Sequence, residues 1–481
     1  MQLIRDLASI ISRKRINVLN TEDDREHQLL DLIRSEKTSK EELTEFFYPG
    51  SKFGRRNFNR LKRSLRDRLV NTVFAGSPKG DKEYREIYLR TVKQAYASEL
   101  LWNKGKSESA ATLANEAITT AQWHQFHDLT YKLSRLLADH YAAIVPNLKN
   151  FERFERIFER IQFKLKWEKR AESYYYRLAL QLRSSKTIPI ALKEEAARYI
   201  EELDPIEEVS WEFVYYRMNI QLIGCKMSND IAGLIQVCEK ALYYFDLLDF
   251  KLPNRPVRSV HLNLIPAYIH AHDYTKALEA IRTVKFLLPA TSYNWIAIHQ
   301  YEASVGFHLN QFDISAEALR IIKKSPLAKN IRDEIRVYET YLAFLQERPI
   351  RMSTFLNDTP GFSADKKGMN INRLILQILI LLSKNDRAKI IDRAEALNKY
   401  AYRYLVHDET TRRSQLFMRL LFLTVRHSFD WPTIQKQTAK TYAELQSTPR
   451  HLSTIDIEVV PYEVLWGKVG EVLGGGGRHS E

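Results

Sequence analysis

Cysteine, glycine and proline are all scarce in this chain. Its 481 residues include 2 Cys, 16 Gly and 15 Pro, where average usage runs to about 7% Gly and 5% Pro. Four of those glycines stand together at Gly474 to Gly477. Sheet proteins need frequent turn residues, whereas helix interiors exclude both breakers. The scarcity therefore points to an all-α chain of long helices joined by short turns. Cys225 and Cys238 build no disulfide framework; they read as small buried apolar residues, and a cytoplasmic setting suits them. Long apolar runs are missing too. The most apolar run, Leu374 to Leu382, is far shorter than the roughly 20 residues that cross a bilayer, so it reads as a buried core helix. The opening stretch carries Arg5 and Asp6 among its apolar residues and lacks a small-residue cleavage site, so no secretion signal is expected there.

Marks of catalysis are equally sparse. No glycine loop that would cradle a phosphate is present, and no Gly-x-Ser-x-Gly elbow. His124 and His127, three apart with Asp128 beside them, would present two imidazoles from one helical turn. No third ligand is in evidence, so they read as structural or surface histidines. His270 and His272 face different ways on a helix and read the same way. The expectation is a non-enzymatic chain with no cofactor and no metal.

What the chain has in abundance is positive charge and helical periodicity. Lys and Arg number 73 against 59 Asp and Glu, a formal net charge of +14. That balance favours acidic partners such as nucleic acid or an acidic protein. Three zones are expected. Residues 1–78 form a basic helical module, 79–446 a long series of amphipathic helices, and 447–481 a cap with a flexible glycine-rich tail. The cap holds the one β-like stretch, Ile455 to Val460. Phe151, Phe154, Phe158 and Ile161 illustrate the periodicity, with Glu and Arg filling the opposite face. Breaks fall at Pro146, Lys186 to Pro189, Asp204-Pro205, Pro253 to Pro256, Pro360 to Gly368 and Pro432.

The clearest internal unit runs from Arg258 to Pro289. Leu264 and Tyr268 lie on one predicted helix, Asp273-Tyr274 marks the turn, and Ala277, Leu278, Ile281 and Val284 lie on the next. Ala277 is small enough to let the helices approach, and Pro289 is expected to end the second. Pro266 should kink the first or delay its start. Trp295 begins a following unit whose turn, at Gln311-Phe312, comes late. Partial echoes occur at Gly105, Ala110, Ala117 and Ile118, and at Asp230 with Ala241-Leu242. This pattern resembles a tetratricopeptide repeat, whose period is about 34 residues. The resemblance implies an α-solenoid of antiparallel helix pairs, with a groove that binds protein or peptide.

One segment concentrates the charge. Lys52, Arg55, Arg56, Arg60, Lys62, Arg63, Arg66 and Arg68 are opposed only by Asp67. Phe58, Leu61, Leu65, Leu69 and Val73 recur among them at helical spacing. Two short helices are expected before it, over His27 to Ser35 and Ser39 to Phe47, the second opened by a Ser39–Glu42 capping box. Three helices with a basic third resemble the layout of a helix-turn-helix. The expectation is a scaffold or adaptor that holds protein partners through its groove and its basic helix. The alternative is a regulator whose basic module contacts nucleic acid.

Overall fold

A computed structural model describes residues 2–10, 24–34, 39–75, 82–184, 190–207, 210–350, 369–404, 411–450 and 458–474. Among the described residues there are 21 α-helices, one π turn, one 3-10 turn and no strand. The chain divides into two compact units, Met1–Gln162 and Phe163–Glu481.

The first unit opens with α1 (Gln2–Ile10), α2 (Asp24–Arg34), α3 (Lys40–Phe47) and α4 (Gly54–Ala75). The expected capping box starts α3: the Ser39 amide donates to Glu42 Oε2 at 2.7 Å, and the Glu42 amide to Ser39 Oγ at 3.2 Å. Those bonds hold the Glu42 carboxyl below its ordinary range. Helices α1, α2 and α3 all pack on α4. The basic helix is thus the fourth of a four-helix cluster rather than the third of three. Its apolar stripe of Phe58, Leu61, Leu65 and Leu69 is buried with Ile4, Leu29, Leu30, Ile33 and Leu43. A second core joins α5 (Lys82–Asn103), α6 (Ser107–Trp123) and α7 (His127–Asp139). Helix α6 buries Ala110, Ala111, Ala114, Ala117 and Ala121. So many small side chains on one helix let both neighbours come close. A π turn, His140–Ile144, follows, and then α8 (Leu148–Ser184), within which the division between the units falls. Phe154 and Ile161 are buried and Phe151 and Phe158 half-buried, as the periodicity predicts.

The second unit continues with α9 (Ile190–Leu203), α10 (Trp211–Ser228), α11 (Ile231–Asp246), α12 (Asn254–His270), α13 (Tyr274–Lys285), α14 (Tyr293–His308), α15 (Phe312–Lys323) and α16 (Arg332–Leu345). It closes with α17 (Met369–Ser383), α18 (Arg387–Tyr404), α19 (Arg412–Arg426), α20 (Trp431–Ser447) and α21 (Tyr462–Gly474). Each of α10, α12, α14, α17 and α19 packs on the helix that follows it. The apolar run expected in a core lies on α17, where Ile375 to Leu382 include seven buried apolar residues.

One turn recurs. Asn229, His272, Asn310, Glu347, Asn385 and Ser428 all adopt positive φ just past a helix end. Each donates its amide to the carbonyl three residues back, and the next residue donates to the carbonyl five back, as His272 to Ile269 and Asp273 to Tyr268. That pair of bonds is the Schellman stop, which satisfies carbonyls left over at a helix end. An Asp often follows and caps the next helix: Asp230 accepts from the Gly233 amide, Asp273 from Lys276 and Asp430 from Thr433. The six turns lie 37 to 43 residues apart, longer than a tetratricopeptide period of about 34. Gly105 and Gln125 make the same turn in the first unit.

The unit expected over Arg258 to Pro289 has its helices where the spacing put them. Ala277 is fully buried, with Leu264 and Tyr268 buried beside it and Trp295 half-buried on the next helix. Pro266 sits inside α12, which starts at Asn254, so of the two expected outcomes the delayed start does not occur. One expectation is corrected. Helix α13 stops at Lys285, before Pro289. The Leu287 amide turns back to Val284 there, and Pro289 then accepts from Ser292. The described part of the β-like stretch, Glu458 to Val460, is a bend with both valines buried. With no strand beside it among the described residues, it buries its β-branched side chains against helices. Residues 455–457 lie outside the described residues, as do the breaks at 186–189 and 360–368.

Candidate functional site

The basic face of α4 is built from the core outward. Its buried stripe repeats every three or four residues, so the positions between must face solvent. Arg55, Arg56, Arg60 and Arg63 are exposed there, with Lys62 half-buried and Lys52 exposed in the preceding turn. None of these six holds a carboxylate among the described residues. The carboxylates nearby are already engaged: Asp67 accepts from Arg66 at 2.5 Å, and Arg68 reaches buried Glu26 at 3.0 Å. A cavity of about 370 Å³ is lined by Leu3, Ile4, Asn59, Lys62, Arg63 and Arg66. Six residues separate α3 from α4, against the 3 or 4 of a helix-turn-helix. The docking geometry of that motif is therefore not reproduced.

His124 and Asp128 are engaged within the first unit. His124 Nδ1 lies 3.0 Å from the Thr120 carbonyl, and Asp128 accepts from the Tyr88 hydroxyl at 2.8 Å. His127 is buried. No group of residues suited to a metal occurs among the described residues. Cys238 is fully buried, and burial pushes its thiol up to about 12; Cys225 is half-buried, and both are free thiols.

The second unit holds a polar cavity of about 500 Å³ that spacing alone did not reveal. Arg413, at the start of α19, is its fixed point. Its Nε and Nη2 each donate to Glu458 at 2.8 Å, and Nη2 also to Glu463 at 2.7 Å. Nη1 donates to the Leu445 and Thr448 carbonyls at the end of α20, at 2.7 and 3.0 Å. Burial works against the charge of Arg413, and the two carboxylates more than offset it, so the guanidinium stays charged more firmly than usual. Arg450 joins the same carboxylates less closely, with Nη2 3.3 Å from Glu458 and 3.6 Å from Glu463.

A line of donors leads away from Arg450. Its Nη1 lies 3.3 Å from both ring nitrogens of His308. His308 Nδ1 is 2.9 Å from the Tyr274 hydroxyl, which is 2.8 Å from His272 Nδ1. One arrangement satisfies every step: Arg450 donates to His308 Nε2 and to the Tyr274 oxygen, His308 Nδ1–H donates to Tyr274, and Tyr274 O–H to His272. A protonated His308 would break it. Burial first, and Arg450 next, push the His308 imidazole down to about 2. The same two causes lower His272. His272 owes its place to the Schellman turn, whose left-handed φ aims the ring at Tyr274. Comparison with protein-family models, curated proteins and solved structures gives no match.

Proposed function

We propose that the chain is a non-enzymatic binding protein: a helix-pair repeat body of the tetratricopeptide kind, holding protein partners, with the basic face of α4 as a docking surface for an acidic partner. The observation that carries this reading is the row of cations with no carboxylate partner among the described residues. Placing Lys52, Arg55, Arg56, Arg60, Lys62 and Arg63 together without carboxylates costs self-repulsion, which an acidic partner relieves. The apolar stripe beneath fixes their positions, so little ordering remains to be done on binding. The recurring turns support the repeat reading, with units longer than the family's.

A second reading, nucleic-acid binding, draws on Phe46 and Phe53. Both are about two-thirds exposed near the cations, and exposed aromatics among cations suit base stacking. The long connection between α3 and α4 weighs against a helix-turn-helix form of it. The test is binding of fluorescent DNA, RNA and an acidic peptide at two salt concentrations. The comparison protein carries Arg55, Arg56, Arg60 and Arg63 all changed to Gln. The acidic peptide should bind the wild type and not the variant. Nucleic-acid binding with a log–log salt slope of roughly 0.9 per contacted phosphate would instead select the second reading. Binding of nothing at low salt would remove both.

A further inference from the structure

We infer that the polar cavity of the second unit is a binding site for a single carboxylate, received by Arg450, His272 and Tyr274. The inference deepens the reading of the repeat body as the partner-holding part, and rests on that reading only for what carries the carboxylate.

Three observations support it. First, the two arginines are held differently. Arg413 spends all its directions on bonds of 2.7 to 3.0 Å. Arg450 hydrogen-bonds the Tyr274 hydroxyl that two histidines also share, and its contacts to His308, Glu458 and Glu463 are 3.3 Å and longer, where charge-assisted bonds run to about 2.7–2.9 Å. A carboxylate oxygen would offer Arg450 a better acceptor than the His308 ring does. Second, the cavity's 500 Å³ falls within the roughly 300–1,000 Å³ of small-ligand sites. Its lining places Gln446, Ser447, Ile231 and Val464 around the charged wall, enough for a short peptide end. Third, charge selects the class. Arg413 and Arg450 balance Glu458 and Glu463, with His308 and His272 neutral. A dianionic phosphate would crowd both Glu carboxylates, whereas a monoanion leaves an excess that one proton cancels.

His272 is the group placed to take that proton. It stands in the turn after α12, not on the helix, and lines the same cavity as buried His270, so the two do not face different ways; around it are Tyr274, His308 from α14, Arg413 from α19, Arg450 after α20, and Glu458 and Glu463 at the start of α21. Arg450 and Arg413 oppose its protonation and the two carboxylates favour it. A third carboxylate at Arg450 tips the balance. Once His272 gains a proton, Tyr274 accepts from both histidines, Arg450 turns from Tyr274 to the ligand, and the tyrosine's own hydrogen follows it. Binding should therefore take up protons and strengthen as pH falls from 8 to 6.

The experiment uses the full chain and four probes: acetate, inorganic phosphate, and trialanine with a free or an amidated C-terminus. Calorimetry in two buffers of different ionisation enthalpy gives affinity and protons taken up. Acetate or free trialanine should saturate, with affinity rising roughly three- to tenfold between pH 8 and 6. Arg450→Gln should weaken binding about tenfold or more. His272→Gln should bind with no pH dependence. Tyr274→Phe, which loses only one oxygen, should weaken binding while keeping the melting temperature, which guards against an Arg450 variant that misfolds. Acetate alone binding identifies a free small acid as the carrier; free trialanine binding more tightly than acetate identifies a peptide terminus, and supports the groove reading as well. Phosphate outcompeting acetate, amidated trialanine matching the free peptide, or no saturation at tens of millimolar would overturn the carboxylate site. None of those results bears on the basic helix.

Discussion

Arginine does opposite work in the two units. On α4 the guanidinium groups of Arg55, Arg56, Arg60 and Arg63 stand in solvent with no carboxylate partner among the described residues, carried by the helix beneath them. In the second unit Arg413 is 8% exposed, and two carboxylates and two carbonyls surround it. The first arrangement projects a field that salt screens within about 10 Å. The second cancels its own field and resists salt. Exposed cations can thus be removed with little harm to the fold, whereas a buried pair leaves an uncompensated charge when one partner is lost. The same residue type serves partner attraction in one place and internal cohesion in the other.

That contrast sets the order of expected effects. Arg413→Ala leaves buried Glu458 with only the longer Arg450 contact and the Tyr462 amide, and should destabilise the second unit by about 3 kcal/mol, read by urea unfolding. A loss no larger than that of an exposed arginine would erase the contrast. The next effect comes from pH. His308 stays neutral in the folded chain, while the unfolded chain binds a proton below about pH 6.5. The unfolded state then holds more protons, so stability falls with pH, by about 1.4 kcal/mol per unit below that point. His308→Gln should flatten this decline in a melt series from pH 7 to 5. Ala277→Phe overpacks the junction of α12 and α13 and should cost about 1–3 kcal/mol; an unchanged melting temperature would mean the helices do not meet there. Smallest is the fourfold Gln variant of α4. It should move the unfolding midpoint by less than about 0.5 kcal/mol per site while abolishing the salt-dependent binding.

The two sites differ as much in legibility. The basic helix could be read directly because its cations are contiguous and its stripe keeps the helical period. The Ser39–Glu42 box was legible for the same reason, since both partners lie within one turn. Ala277 and its neighbours followed from the spacing of a helix pair. The cavity is another matter. Its residues come from α11, α12, α13, α14, α19 and the segments around α20 and α21, with Tyr274 and Arg450 far apart in sequence. Arg, Glu and His fill exposed helix faces throughout this chain, so nothing local distinguishes Arg413 from Arg412 beside it. The Schellman turns escaped notice because Asn, His, Glu and Ser occupy places where glycine would have announced them. The valines at 459 and 460 misled by β propensity, which counts only where a partner strand exists.

Those turns carry a consequence for heat resistance. Among the described residues, eight other than glycine hold φ between +52° and +64°. An ordinary L-residue gives up about 1–2 kcal/mol there, and glycine would recover part of it, less about 0.5–1 kcal/mol for its looser unfolded chain. Glu347, Gln125 and Ser428 are therefore places where evolution has left the protein less tolerant of warming than its fold permits. His272 belongs to the same set but not to the same class. Glycine at that turn would ease the backbone and remove the imidazole that meets Tyr274. An engineer raising the melting temperature would change the first three and leave the fourth, and the tolerance gained would come without touching the cavity.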